Sequence, residues 1–214
     1  CTGPSEEFTI TVSPTAQVEQ VEDIVVCNGD EVAEIVFSTA NENGTTIYSW
    51  TNDNTIIGLA ASDTGDITTF EANNDTNDPI TATITVTPSY DTTPLLACTG
   101  DPITFTITVN PTAQVDDPLD YEYCNGGTAV IDFTTSNGGV DSVTTSSWEI
   151  TGGDSVFVGG ALSDVGNINL PVINETNADL VATITVTPTY TNDGVDCTGP
   201  SEEFTITVSP TAQV

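Results

Sequence analysis

Apolar and small polar residues alternate in several short stretches of this chain. Three of them, residues 8–12, 105–109 and 204–208, share the order Phe-Thr-Ile-Thr-Val. Successive side chains of a strand point to opposite faces, so each stretch predicts a half-buried β-strand, which the proline two residues later ends. A helix would need apolar spacings of three and four, and no stretch of the chain sustains them.

These strands belong to a longer sequence repeat. Residues 1–18 (CTGPSEEFTITVSPTAQV) return unchanged at 197–214, and residues 98–115 differ from them at five positions. The repeat therefore predicts domains of about a hundred residues. We expect residues 1–13 to be the last strand of a preceding repeat, and the two domains and the start of the next junction to follow in order: 14–110, 111–209 and 210–214.

Short runs rich in Val, Ile and Thr fill each domain, separated by Gly, Asn, Asp and Pro. About seven such runs per domain predict an all-β fold of tandem antiparallel immunoglobulin-like β-sandwiches. Residues 56–59 are one predicted strand, and residues 82–87 are another that Pro88 stops. Trp50 and Trp148 lie in the same predicted strand of each domain, and we expect both in the core.

The charge of the chain is one-sided. There are 32 Asp and Glu and no Lys, Arg or His, which gives a net charge of −32. Side-chain ion pairs within the chain are therefore excluded, as is binding of nucleic acid or an anionic membrane through a basic patch. No apolar run is long enough to predict membrane insertion. Because like charges repel one another, we expect added salt and divalent cations to raise the melting temperature.

The composition also argues against an enzyme. Without His or Lys there is no usual general base for a nucleophile and no cation for an oxyanion. A pair of carboxylates of the glycosidase kind remains. The adjacent acidic pairs at 6–7, 116–117 and 202–203 are poor candidates, since neighbours on a strand point to opposite faces. We therefore predict no catalytic residues.

Oxygen ligands leave Ca²⁺ as a candidate cofactor. One acidic group lies in the loop before the ATITVTP stretch, and a second follows the predicted domain junction. A Ca²⁺ ion at the junction would stiffen the array, and solvated loops are the alternative. The candidate ligands are Asp75, Asn77, Asp78, Asp116, Asp117 and Asp120.

Five cysteines are typical of an oxidising, extracellular compartment. Two pairings obey the repeat: Cys27–Cys98 with Cys124–Cys197 inside each domain, or Cys27–Cys197 between domains. Independent folding of domains favours the first. Strand geometry favours the second, because seven residues span about 23 Å and bridged Cα atoms lie within about 7 Å. Both stay open, with a slight preference for the first, and free buried thiols are a third alternative. Cys1 is expected to pair outside these residues.

Several motifs together carry a resemblance to a known family. CNG follows the first strand, a tryptophan occupies the third, and ATITVTP, CTG and FTITVNP come after it. They resemble the immunoglobulin-like (PKD-like) tandem repeats of giant cell-surface adhesins from the Bacteroidetes, such as those moved by gliding flavobacteria. The segments YSWTND and SSWEITGG depart from the strict PKD sequence.

The resemblance implies secretion, often by the type IX route, and display at the cell surface as a stalk or filament. The chain would then be a spacer that projects a distal adhesive region, with neighbouring repeats as its partners. A module whose loops bind carbohydrate or a surface is the alternative.

Short motifs suggest glycosylation. Asp-Ser-Val occurs twice and resembles bacterial O-glycosylation sites of the same group, so Ser142 and Ser155 are candidate acceptors. Asn43, Asn74 and Asn174 begin N-glycosylation sequons, which arise readily by chance in a chain rich in Asn and Thr.

Overall fold

A computed structural model describes residues 3–10, 12–42, 44–93, 96–158 and 160–212. These residues form two compact units. The first unit comprises Cys1–Ile24, Glu31–Glu71 and Thr81–Ile107, and the second comprises Val25–Asp30, Ala72–Ile80 and Thr108–Val214. The second unit therefore includes two short segments of the first sequence repeat.

The first sequence repeat forms a six-stranded sheet and a two-stranded sheet. The strands are β1 Ile24–Cys27, β2 Glu31–Val32, β3 Thr45–Asn52, β4 Ser62–Thr64, β5 Phe70–Glu71, β6 Ile80–Thr93, β7 Leu96–Thr99 and β8 Ile103–Asn110. The large sheet has the order β1-β8-β6-β3-β4, with β7 paired to β6, and the small sheet joins β2 to β5. A bridge between Ile35 and Ile67 continues the small sheet.

The second repeat follows the same plan. Its strands are β9 Tyr121–Cys124, β10 Thr128–Ile131, β11 Val143–Gly153, β12 Ser163–Val165, β13 Ile168–Pro171, β14 Leu180–Asn192, β15 Val195–Thr198 and β16 Glu202–Ser209. The large sheet has the order β12-β11-β14-β16-β9, with β15 paired to β14, and the small sheet joins β10 to β13. The pairing of β16 with β9 is parallel, whereas β14 pairs antiparallel with both β11 and β16. The predicted all-β sandwich fold is confirmed.

Alternation along the strands builds the core. Buried and partly exposed residues alternate along β14 and β16. Ala182, Ile184 and Val186 of β14 and the three buried residues of β16 pack with Trp148 and Phe157 in one hydrophobic cluster. Trp148 is 2% exposed, and Trp50, in β3 of the first unit, is 4% exposed. Both tryptophans therefore contribute large apolar surfaces to the core.

Two predicted details are wrong. Residues 55–57 form a short 3₁₀-helix rather than a strand, because Asn54 Oδ1 accepts from Ile56 N and Gly58, at φ 94°, donates to the carbonyl of Thr55. Strand β6 runs through Pro88 instead of stopping there. Proline removes only an N–H donor, and its carbonyl still accepts from Gly100 N at 2.9 Å.

The segment at residues 3–10 and 12 has no strand neighbours. Phe8 is 84% exposed, whereas Phe204, in the identical sequence of β16, is 3% exposed. The same alternating residues therefore form a strand where β14 and β9 flank them. It stays a prediction that residues 1–13 complete a preceding repeat. The domain bounds 14–110 and 111–209 also stay predictions.

Candidate functional site

A disulfide bond links the two sequence repeats. Cys27 ends β1 and bonds to Cys197 in β15, across 170 residues of sequence, with 5.5 Å between the Cα atoms. Both residues belong to the second unit. Cys98 and Cys124 are free thiols, and Cys1 lies outside the described residues.

The slightly preferred pairing inside each repeat is therefore wrong. Cys124 lies opposite Ser209, at the end of β16, while Cys197 precedes the start of that strand at Glu202. Eight residues extend about 27 Å, far more than the about 7 Å that a disulfide allows between Cα atoms. The two cysteines of one repeat lie at opposite ends of its sandwich.

Two asparagines hold the region around Cys27 together. Asn74 is 1% exposed; its Nδ2 donates to the carbonyls of Asp78 and Val109 at 2.9 and 2.7 Å, and its backbone N donates to Asn28 Oδ1 at 2.8 Å. Asn28 Nδ2 donates to Thr112 Oγ1 at 2.9 Å. The two side-chain amides thus connect the CNG turn, the loop that contains Asn74 and the end of β8.

The second repeat has the same network. Asn174 Nδ2 donates to the carbonyls of Ala178 and Val208 at 2.8 and 2.6 Å, and its backbone N donates to Asn125 Oδ1 at 2.8 Å. Asn74 and Asn174 are at most 2% exposed, so their side chains are structural and closed to a glycan. Sequence reasoning missed this role, although the Asn of CNG and the Asn-x-Thr triplet recur together in both repeats. Asn43 lies outside the described residues.

Further contacts within the second unit surround the disulfide. Asn192 Nδ2 donates to Asn110 Oδ1 at 2.8 Å, and both side chains are buried. Gly138 N donates to the carbonyl of Asn77 at 2.9 Å, and its own carbonyl accepts from the Tyr190 hydroxyl at 2.8 Å. Tyr190 also forms a small apolar cluster with Ala113 and Cys197, against which Cys27 packs. The disulfide therefore lies among neutral polar contacts rather than ionic ones.

The predicted Ca²⁺ ligands of the first acidic group lie in the loop that Asn74 holds. Asp75, Asn77 and Asp78 are exposed. The contacts of Asn77 and Asp78 described above use their main-chain carbonyls, which accept from Gly138 and Asn74.

The second acidic group is spread along the surface. Asp116 Oδ2 accepts from Thr134 Oγ1 at 2.6 Å, and Asp117 is exposed. Asp120 Oδ1 accepts from both the backbone N and the hydroxyl of Thr205 at 2.8 Å, and these hydrogen bonds lower the pKa of Asp120. Within the described residues, no three acidic or Cys side chains come close enough to hold a metal ion.

The two candidate glycan acceptors differ in accessibility. Ser155 is exposed in the segment that follows β11. Ser142 is half-buried, and its hydroxyl lies 3.1 and 3.2 Å from the carbonyl oxygens of Gly138 and Gly139.

Comparisons with known proteins agree with this architecture. The family model described as the PKD-like domain matches residues 24–113. No curated protein sequence matches the chain. Across the residues described, no helix is long and apolar enough to cross a membrane.

The similarity of this chain to solved structures concerns its fold alone. The three N-terminal domains of the Hoc outer capsid protein of bacteriophage RB49 align with a TM-score of 0.52 at 12% identity, over 92% of this chain and 70% of that one. Human protocadherin-24 EC1-2 aligns with a TM-score of 0.47 at 11% identity, covering 96% of this chain and all of that one. Mouse cadherin-23 EC22-24 has a TM-score of 0.45 at 14% identity, over 91% of this chain and 66% of that one. This chain is thus similar to PKD-like domains over residues 24–113, and both of its sequence repeats are built from β-sheets in the same order.

Proposed function

We propose that this chain is a spacer of a long extracellular adhesin or surface filament and that it projects a distal adhesive region. Repeated domains can be copied freely in a spacer, since each contacts only its neighbours. The resemblance to giant Bacteroidetes adhesins supports a place at the cell surface, export by the type IX route and a part in gliding motility. A disulfide is itself typical of secreted proteins.

The observation that carries this proposal is the disulfide across the repeats. Cys27 and Cys197 lie 170 positions apart in the sequence. If the chain is pulled from its ends, the residues between them cannot extend while the S–S bond holds. At about 3.5 Å per extended residue, the disulfide prevents about 600 Å of contour length from being extended. A disulfide that limits extension in this way is suited to a protein that bears mechanical load.

Single-molecule force spectroscopy on the whole chain tests the load-bearing role. We expect the oxidised chain to lengthen only by the residues outside the disulfide loop, at forces that leave S–S bonds intact. The Cys27→Ser variant, which keeps the same sandwiches, should release about 600 Å more. Full extension of the oxidised wild-type chain would contradict the proposal.

A module that binds carbohydrate or a surface is the second candidate function. One observation favours it: a shallow depression of about 340 Å³ on the second unit, beside the buried indole of Trp148, whose Nε1 has no hydrogen-bond partner among the described residues. Its other lining residues are Ser147, Glu149, Ser163, Asp164, Val165, Thr185 and Thr187. A glycan array separates the candidates. A spacer should bind no glycan, whereas saturable binding lost in Glu149→Ala would favour the module.

We also propose that Ser142 and Ser155 accept O-linked glycans in the native organism, and that the protein is a glycoprotein. The exposure of Ser155 supports its modification. Intact-mass spectrometry of the native protein, with each serine replaced by alanine in turn, would show which carries the added mass.

A further inference from the structure

The two free cysteines match the two bonded ones. Cys124 ends β9 as Cys27 ends β1, and Cys98 pairs with Tyr90 as Cys197 pairs with Tyr190. A free cysteine alone indicates nothing about a partner. The surroundings of these two, however, reproduce the surroundings of the bonded pair.

The match around Cys124 extends to individual hydrogen bonds. Asn125 Nδ2 donates to Thr211 Oγ1 at 2.9 Å, as Asn28 Nδ2 does to Thr112 Oγ1. Asn125 N donates to the carbonyl of Ser209 at 2.9 Å, as Asn28 N does to Asn110. Both turns close on a glycine in the left-handed region, with φ 78° at Gly126 and 84° at Gly29.

The match around Cys98 is equally close. The Tyr90 hydroxyl donates to the carbonyl of Glu42 at 2.6 Å, as that of Tyr190 does to Gly138. Gly100 N donates to the carbonyl of Pro88, as Gly199 N does to Pro188. Gly100 and Gly199 also approach the carbonyls of Ala16 and Ala113 so closely that a Cβ atom would clash. The main chain around Cys98 therefore makes the same contacts as the main chain around Cys197.

We propose that Cys124 and Cys98 are the two halves of a second disulfide, formed when the Cys124 end of one copy of this chain meets the Cys98 end of another copy. The occupant of each site is thus a second copy of this repeat pair. Because the two surfaces differ, the contact is head-to-tail and continues into an open array. This inference rests on the proposed spacer function.

The bond forms by thiol–disulfide exchange with a small-molecule disulfide such as oxidised glutathione. The Cys124 thiolate attacks one sulfur and releases a glutathione thiolate. The Cys98 thiolate then attacks the mixed disulfide and releases the second. Two protein thiols lose two electrons and two protons, and one glutathione disulfide becomes two glutathiones.

The identical ends of the chain allow a seamless test. Residues 197–214 repeat residues 1–18, so a second copy that begins at Glu19 can follow Val214 while keeping the same junction sequence as at residues 1–19. This fusion is folded in a glutathione redox buffer and mapped by non-reducing peptide mass spectrometry. We expect Cys124 joined to Cys98 of the appended copy, besides a Cys27–Cys197 bond in each copy.

The Cys27–Cys197 bonds report that the fusion has folded. In this fusion Cys124 of the appended copy is replaced by serine, because no further copy follows it. Alkylation of the first copy's Cys124 by iodoacetamide in molecules that hold both of those bonds would overturn the inference. In the matched fusion that carries Cys124→Ser in both copies, one additional thiol per molecule, that of Cys98 in the appended copy, should be alkylated. If the long fusion does not fold, the chain extended only by residues 19–110 gives the same readout. A chain that forms this bond but binds glycans on an array would refute the spacer function and leave the disulfide standing.

Discussion

Phe8 and Phe204 occupy the same position of two identical sequences, yet one is 84% exposed and the other 3%. We predict that Phe204→Ala destabilises the second unit strongly, whereas Phe8→Ala leaves unfolding unchanged. The comparison is well controlled, because both substitutions remove the same atoms from the same local sequence. Only the tertiary surroundings differ.

The magnitude follows from the contacts of Phe204. Its ring lies 6.0 Å from that of Tyr121 and 6.1 Å from that of Phe133, both edge to face, and it belongs to the cluster that includes Trp148. Truncating a buried phenylalanine to alanine costs about 3–5 kcal/mol. For a unit of this size, 1 kcal/mol corresponds to about 4 °C, so the melting temperature should fall by about 15 °C.

The assay is thermal unfolding followed by tryptophan fluorescence in a Trp50→Phe background, so that Trp148 reports on the second unit. The background protein, the Phe204→Ala variant and the Phe8→Ala variant are compared in one buffer. Equal shifts for the two variants, or no shift for Phe204→Ala, would refute the assignment of burial.

Other predictions test the polar and charged features. Asn174→Ala should lower the free energy of unfolding by about 3 kcal/mol in urea titrations, because the buried carbonyl of Val208 loses its donor, whereas Glu175→Gln on the same exposed loop should change little. NaCl should raise the melting temperature measured by calorimetry, since it screens the 32 carboxylates from one another. At equal ionic strength, Ca²⁺ should raise the melting temperature no more than Mg²⁺ does. A larger effect of Ca²⁺ would be evidence for the predicted metal site. Asp120→Ala should be less stable than wild type at neutral pH. Because the folded-state pKa of Asp120 is lowered, this gap should close as the pH falls well below 3.8; a gap independent of pH would contradict the Thr205 contact.

The alternating pattern made much of the fold predictable. A period of two fixes which side chains of β8 and β16 face inward, and the repeats fix how often that face recurs. The exceptions arise where a local hydrogen bond overrides the pattern. Residues 55–57 became helical through the Asn54 cap. β6 continues past Pro88 because the proline carbonyl still pairs with Gly100.

The site was harder to predict than the fold. Asn74 and Asn174 begin the triplet of a surface glycosylation signal, and only the tertiary structure shows that their amides are buried against β8 and β16. The pairing of Cys27 with Cys197 depends on which end of a sandwich each cysteine occupies. That is fixed by strand order, which spacing alone does not give.

A chain without cationic side chains cannot be stabilised by side-chain ion pairs and depends on other polar contacts. The five buried polar side chains of the described residues are all asparagine: Asn52, Asn74, Asn110, Asn174 and Asn192. An aspartate in their place could not donate to a carbonyl and would bury a charge in a chain that already carries −32. A neutral amide can both donate and accept hydrogen bonds, and it adds no charge. The Cys27–Cys197 bond is likewise covalent and unaffected by repulsion between carboxylates. Buried amides and the disulfide therefore provide the connections that ion pairs supply in other proteins, while the exposed carboxylates make separate molecules repel one another.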